Sequence, residues 1–246
     1  MLIFKQNYLF GFVLLVIFFG CKTEQNKKNK ELERKIELNS KHKDFENLIS
    51  IASCSGPDIT YSTEVHSTKN GYTYFKQQYG SGKEDYEATI FDKTKGFTID
   101  KNGNAIDTLS KESIEIIRGH EFHKIHITPN TFFNAIKFEE ETQYQEKPCE
   151  KYTGTDVLNN PITLYYSRKE KLILGVKLSN PNDTTEQIEI KYKEWMESDI
   201  GKIAKKVEII QGGKDIYQFH YKSIIINDKE FREFSLKNHK AFISVD

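Results

Sequence analysis

Beyond residue 58 the chain alternates apolar and polar side chains with a period of two, the pattern of strands that bury one face. In "QIEIKYKEW", Ile188, Ile190 and Tyr192 fall on one side and Glu189, Lys191 and Lys193 on the other. "LILGVKL" shows the same parity through Leu172, Leu174, Val176 and Leu178. One dry face and one wet face is the habit of antiparallel sheets. Upstream, "ITYSTEV" leads across a Lys-Asn-Gly turn to "GYTYFKQQY", then "YEATIFD", "GFTID" and, past the Asn102-Gly103 hairpin signal, "NAIDTL". "KKVEII", a Gly212-Gly213 turn and "IYQFHYKSIIIN" complete a meander. About ten strands are predicted, and that many twisted strands tend to curl.

Two regions break this period. In "DFENLISIAS" (residues 44–53), Phe45, Leu48, Ile49 and Ala52 stand at helical spacing, which predicts a short leading helix ended by Gly56 and Pro57. From Ser110 to Ile127, a capping serine precedes Ile114, Ile117 and Glu121 at helical intervals, and Pro129 stops the run. "NTFFNAIKF" is read as a second short helix. The fold class expected is mainly β (α+β): a curled antiparallel sheet forming an open or half β-barrel, with the helical insertion as a lid over its apolar concave face.

The amino-terminal end has its own logic. Tyr8–Phe19 is apolar and uncharged but about a dozen residues long, where a membrane-crossing helix needs roughly 20. Lys5, this run and the small Gly20 compose a secretory signal, and Cys21 follows directly. "LLVIFFGCK" resembles a bacterial lipoprotein signal, which implies a diacylglycerol on the Cys21 thiol. Phe18 and Phe19 depart from the usual form of that signal, as the relaxed boxes of Bacteroidota-type envelope lipoproteins do. A plain cleaved signal or an uncleaved anchor are the other readings. Lys22 stands where an aspartate would argue for inner-membrane retention, which favours the outer membrane. The polar run from Lys22 to Lys43 lacks the apolar surface needed to fold and reads as a tether. The expected organisation is therefore a signal over 1–20, a tether over 21–43 and one domain over 44–246.

Composition adds two points. Lys+Arg and Asp+Glu balance at 36 each, removing any global electrostatic case for nucleic acid. With Cys21 lipidated, the other two of the 3 cysteines, Cys54 and Cys149, are either one disulfide, as an oxidising compartment permits, or two separate buried thiols.

The order of elements resembles the outer-membrane lipoprotein carrier and receptor superfamily (LolA/LolB-like). "GTDVLNNPITLYYSRKEKLILGVKL" is similar to that family's paired strands. "GKIAKKVEIIQGGKDIYQFHYKSIIINDKEF" is similar to its closing pair, with an Ile-Asn step followed by a phenylalanine (Asn227, Phe231). The resemblance covers roughly residues 44–234 and is one of pattern and order. It implies an unclosed barrel whose helices lid a cavity for acyl chains. The family's soluble carrier is not lipidated, so Cys21 points to the anchored receptor type or to other envelope lipoproteins. The carrier's functional arginine in its early strands has no counterpart, since Arg118 lies in the insertion.

Candidate chemistry is sparse. "GHEFHKIH" spaces His120, His123 and His126 by three, but misses the His-Glu-x-x-His zinc pattern by one residue. "YGSGKED" echoes a phosphate loop without its leading glycine, and Glu84 stands where a Ser or Thr would bind magnesium; it reads as a turn. Glu139, Glu140 and Glu141 alternate faces on a strand and read as a solvated edge. No catalysis, metal or cofactor is expected. Tyr72, Tyr74, Phe97, Phe132, Phe133, Tyr192 and Phe219 are the candidate lining of a hydrophobic-ligand cavity, or else a filled core. The function expected is a membrane-anchored lipoprotein binding a lipid or acyl chain, with no nucleic-acid partner. The alternative is a structural or interaction subunit of an envelope complex.

Overall fold

The computed structural model describes residues 45–80, 86–180 and 183–233. The predicted signal (1–20), the lipidation candidate Cys21 and the tether (21–43) lie outside them.

The first half forms β1 (Asn47–Ser55), β2 (Thr60–Thr68), β3 (Thr73–Tyr79), β4 (Tyr86–Phe91), β5 (Gly96–Ile99) and β6 (Ala105–Thr108). Then come α1 (Lys111–Arg118), α2 (Phe122–Ile127) and a 3-10 turn at Pro129–Thr131. The second half forms β7 (Phe133–Tyr144), β8 (Lys147–Asp156), β9 (Pro161–Ser167), β10 (Leu172–Asn180), β11 (Asp183–Ser198), β12 (Gly201–Gln211) and β13 (Asp215–Ile226). All join one antiparallel sheet, ordered β6-β5-β4-β3-β2-β1-β13-β12-β11-β10-β9-β8-β7. The two halves meet at β1 and β13, and the outer edges are β6 and β7. The helical insertion joins those two edges, so it has to cross the open side of the sheet. The expected curled, unclosed sheet with a helical lid is what forms, with thirteen strands among the described residues where about ten were predicted.

Three local predictions are corrected. Residues 47–55 are a strand, not a leading helix. They sit at the seam, hydrogen-bonded to β2 on one side and β13 on the other, and Leu48, Ser50, Ala52 and Cys54 alternate inward. Two ladders outweigh a helical spacing that four apolar residues also permit. "NTFFNAIKF" supplies one 3-10 turn and then enters β7, with Ala135 taking a left-handed φ of 51° at an irregularity in the β7–β8 pairing. Finally, the parity of "LILGVKL" breaks at a bulge between Ile173 and Gly175. Ile173 and Val176 join the concave core, while Leu172 and Leu174 pack with Tyr144 and Cys149. Gly175 permits the break: a Cβ there would lie 2.6 Å from ring carbons of Tyr144, which stacks on Tyr165 at 4.0 Å.

The concave face is built from rows running across the strands. Tyr152, Leu164, Val176, Ile190, Ile209 and Tyr217 are successive register partners from β8 to β13. Tyr192, Val207, Phe219 and Cys54 form the next row. Leu164 and Val207 are fully buried, each side chain of this kind contributing about 1.5–3 kcal/mol. Across the middle of β10, β11 and β12 the convex face is wet, with Lys177–Glu189 at 3.7 Å and Lys193–Glu208 at 2.9 Å.

Cys54 and Cys149 are free thiols, so the disulfide reading is corrected. Cys54 faces the concave core from β1. Cys149, three residues before the inward Tyr152, points from the other face of β8 into a separate cluster. Burial pushes the Cys54 thiol up to about 12 and raises Cys149 too, so neither is a ready nucleophile.

Candidate functional site: a lidded cavity on the concave face

The lid is fixed to the sheet by polar contacts at its bend. Ser110 caps α1 by accepting from Ser113 N at 3.0 Å. Arg118, in the last turn of α1, donates Nη1 to Glu115 at 3.0 Å and Nη2 to the Asp92 carbonyl at 3.1 Å. Glu121, buried between the helices, accepts from Thr73 Oγ1 at 2.7 Å and Lys124 Nζ at 3.2 Å. Beyond the bend, Tyr192 donates its hydroxyl to the Phe122 carbonyl at 3.2 Å, and His123 Nε2 donates to the Ala204 carbonyl at 2.9 Å. The carbonyl can only accept, so the proton on His123 is at Nε2.

Between this lid and the sheet lies a cavity of about 310 Å³. Its floor is Val176, Leu178, Ile188, Ile190, Ile209, Tyr217 and Phe219, and its roof is Ile116, His120, Phe122 and Ile125. Phe132 and Phe133 close one side, where the lid runs into β7. The polar lining residues, Glu115, Asp156, Ser179, Asn180 and Gln211, include three from strand ends. The cavity therefore reaches the end of the sheet where the β8–β9, β10–β11 and β12–β13 connections turn.

Of the seven aromatic candidates, the structure brings Phe132, Phe133 and Phe219 to this cavity. Tyr192 lies buried in the concave core, and its hydroxyl holds the lid. Tyr72, Tyr74 and Phe97 require correction. Tyr74, Ile90 and Phe97 are register partners on the convex side of the first half, in a separate cluster that includes Tyr72 and packs Phe231. Phe75, one residue from Tyr74, faces inward opposite Val65. Both faces of these early strands carry apolar side chains, so alternation alone could not say which face is concave. The aliphatic floor was missed as a site, although its signal was the alternation of Ile188 and Ile190 and of Val176 and Leu178.

The three histidines go to different surroundings. His120 lies between Phe75 and Phe122, with ring centroids 5.6 and 5.9 Å away. His123 packs on Tyr221 at 4.1 Å, and His126 on Trp195 at 5.0 Å. Burial lowers the pKa of His120 and pushes that of His123 down to about 4, so both are neutral lid packing. Among the described residues no group of three His, Cys, Asp or Glu could hold a metal ion. Glu139 and Glu140 are exposed on β7 and share Lys151, each at 3.3 Å. Residues 81–85 of the glycine-rich turn, including Gly82, Lys83 and Glu84, lie outside the described residues.

A half-closed antiparallel barrel with helices over its concave face defines an architecture shared with solved structures. One is a LolA-superfamily protein from Nitrosomonas europaea, matched at a TM-score of 0.60 and 8% identity over 82% of this chain and 96% of that one. Another is an outer-membrane lipoprotein-sorting protein domain from Vibrio parahaemolyticus, at 0.59 and 5% identity over 82% and 93%. No protein-family model matches the sequence, and no curated protein matches it. This chain thus has a LolA/LolB-like fold, as the order of its elements led one to expect.

Proposed function

We propose that this protein is a non-catalytic, membrane-anchored lipoprotein of the cell envelope that shelters a lipid or acyl chain between its sheet and its lid. The observation that carries this reading is the cavity. Packed interiors leave few voids larger than a water, yet about 310 Å³ stays open where the fold is most apolar. That is the lower end of the range for small-ligand sites, about 300–1,000 Å³, and suits one chain better than several. The wall offers contact and exclusion of water, and binding is driven by burial of apolar ligand surface. The fold shared with a lipoprotein-sorting domain supports the same reading.

In this proposal Cys21 carries the anchor, and more than one acyl chain makes attachment stable at about 0.8 kcal/mol per buried methylene. Residues 21–43 form the tether. Fully extended they would span at most about 80 Å, so the domain stays within reach of the outer membrane it is proposed to serve. A full-length protein carrying Cys21→Ser, released from the anchor and extracted for lipid mass spectrometry, tests the cavity. Co-purifying lipid, or saturable uptake of a fluorescent acyl probe, is expected. A lipid-free protein that takes up no probe would refute the reading.

One observation favours a second reading, an interaction subunit. Ile51 and Ile225 are 37% and 45% exposed on the convex face. Ile225, Ile49, His66 and Tyr74 are successive partners there. Loss of a co-purifying protein on Ile225→Asp, with probe uptake intact, would support it.

A further inference from the structure

The chemistry of the cavity mouth bears on what kind of amphiphile can be held, and this argument rests on the lipid-binding reading above. Among the described lining residues the charged side chains are Glu115 and Asp156, both carboxylates, with no lysine or arginine. Both already have donors, and Arg118 balances the Glu115 charge. Arg118 gives Nη1 to Glu115 and turns Nη2 to the backbone carbonyl of Asp92, on the β4–β5 turn. Asp156 accepts from Leu158 N, Asn160 N and Asn160 Nδ2 at 2.8–3.0 Å, which fixes its charge at the β8–β9 turn. Asn180 and Gln211, the neutral members of the mouth, both donate to Glu186.

The sheet end around the mouth has the same sign. Register places the β1–β2, β8–β9, β10–β11 and β12–β13 connections together there. Among the described residues, these connections and the strand ends that flank them carry Asp58, Asp156, Asp183 and Asp215 against Lys214. A chain buried to its last methylene leaves its head group among these carboxylates, partly shielded from water, where charge interactions are stronger than in bulk solvent.

We infer that the cavity selects amphiphiles with a neutral or positively charged head group, such as acyl glycerols or long-chain amines, and rejects those ending in a carboxylate. An anionic end is held best by a cation, and the charged groups of the described lining are carboxylates instead. Selectivity here comes from a repulsive element against the wrong ligand.

The test is a displacement series on the full-length Cys21→Ser protein preloaded with a fluorescent acyl probe. Dodecanoylglycerol, dodecylammonium and dodecanoate share a chain length, and all are measured at pH 8. In low salt, dodecanoate is expected to displace the probe about tenfold more weakly than the other two. The gap should narrow in 0.5 M NaCl, because exposed charges are then screened within roughly 3–5 Å. Asp156→Asn keeps an oxygen to accept from Leu158 N and Asn160 N while removing a charge at the mouth, and should narrow the gap as well. Dodecanoate binding as tightly as the others in low salt would overturn the inference. So would a gap that neither salt nor Asp156→Asn changes, even if that variant fails to fold and salt alone decides. A protein that binds neither the probe nor any of the three ligands would instead overturn the lipid-binding reading itself.

Discussion

Glu121→Gln isolates the charge that holds the lid. The glutamate is 1% exposed at its side chain and lies 3.2 Å from Lys124 Nζ and 3.9 Å from Arg118 Nε; those side chains are 5% and 14% exposed. Arg118 is already matched by Glu115 at 3.0 Å. The cluster therefore holds two positive and two negative groups. Glutamine preserves the acceptor for Thr73 and the side chain's shape, but leaves the buried Lys124 ammonium uncompensated. Removing one partner of a buried pair costs about 3–5 kcal/mol, and the partial exposure of Arg118 argues for the lower end, about 3 kcal/mol. For a domain of this size, 1 kcal/mol is about 2–4 °C, so the midpoint should fall by about 6–12 °C. Urea unfolding gives the loss directly, and hydrogen exchange should show amides of residues 111–127 released before those of β12 and β13. Adding Lys124→Met removes the orphaned charge and should recover at least half of the loss. A loss under about 1 kcal/mol for Glu121→Gln, or no recovery in the double variant, would show that the lid does not depend on this balance.

Other outcomes follow from single contacts. His123 is neutral in the fold, with a pKa near 4 against an ordinary value of 6.5. The unfolded chain thus binds a proton first as pH falls, so its contribution is intact above about 6.5 and lost progressively down to about 4. His123→Gln should flatten that part of the stability profile in chemical denaturation, and an unchanged acid limb would contradict the assignment. Ile188→Trp projects an indole into the cavity from its floor; acyl-probe uptake should vanish while stability changes by no more than about 1 kcal/mol. Gly175→Ala forces Tyr144 off Tyr165 and should cost about 1–3 kcal/mol, read as a lower urea midpoint without loss of probe binding.

Much of the architecture is legible in local pattern because half-buried strands repeat every two residues. Ile188, Ile190 and Tyr192 announce an inward face without any knowledge of their partners, and Ser110 and Ile114 announce the lid. What stays hidden depends on partners distant in sequence. The strand at 47–55 is strand because β13, more than 150 residues away, supplies its second ladder. Leu172 and Leu174 leave the inner face because a bulge at Gly175 shifts the count by one. Tyr74 and Phe97 project outward while Phe75 projects inward, and no composition rule distinguishes them when both sides are apolar. The cavity is less legible still. It is the difference between the volume the curl encloses and the volume the side chains fill, and neither is a property of any one segment.

The insertion that joins β6 to β7 strings the two ends of the sheet as a cord strings a bow. The length of residues 109–132 and the curvature of thirteen strands then become a single variable. Shortening the cord draws the edges together and squeezes the space beneath, while a longer one lets the sheet relax and the space widen. Since Arg118 and Glu121 peg the middle of the cord to the β3–β5 side, slack can appear only between α2 and β7. Loop length on that one side is therefore the dimension along which such a fold can be tuned to chains of different girth without altering a single residue of the floor.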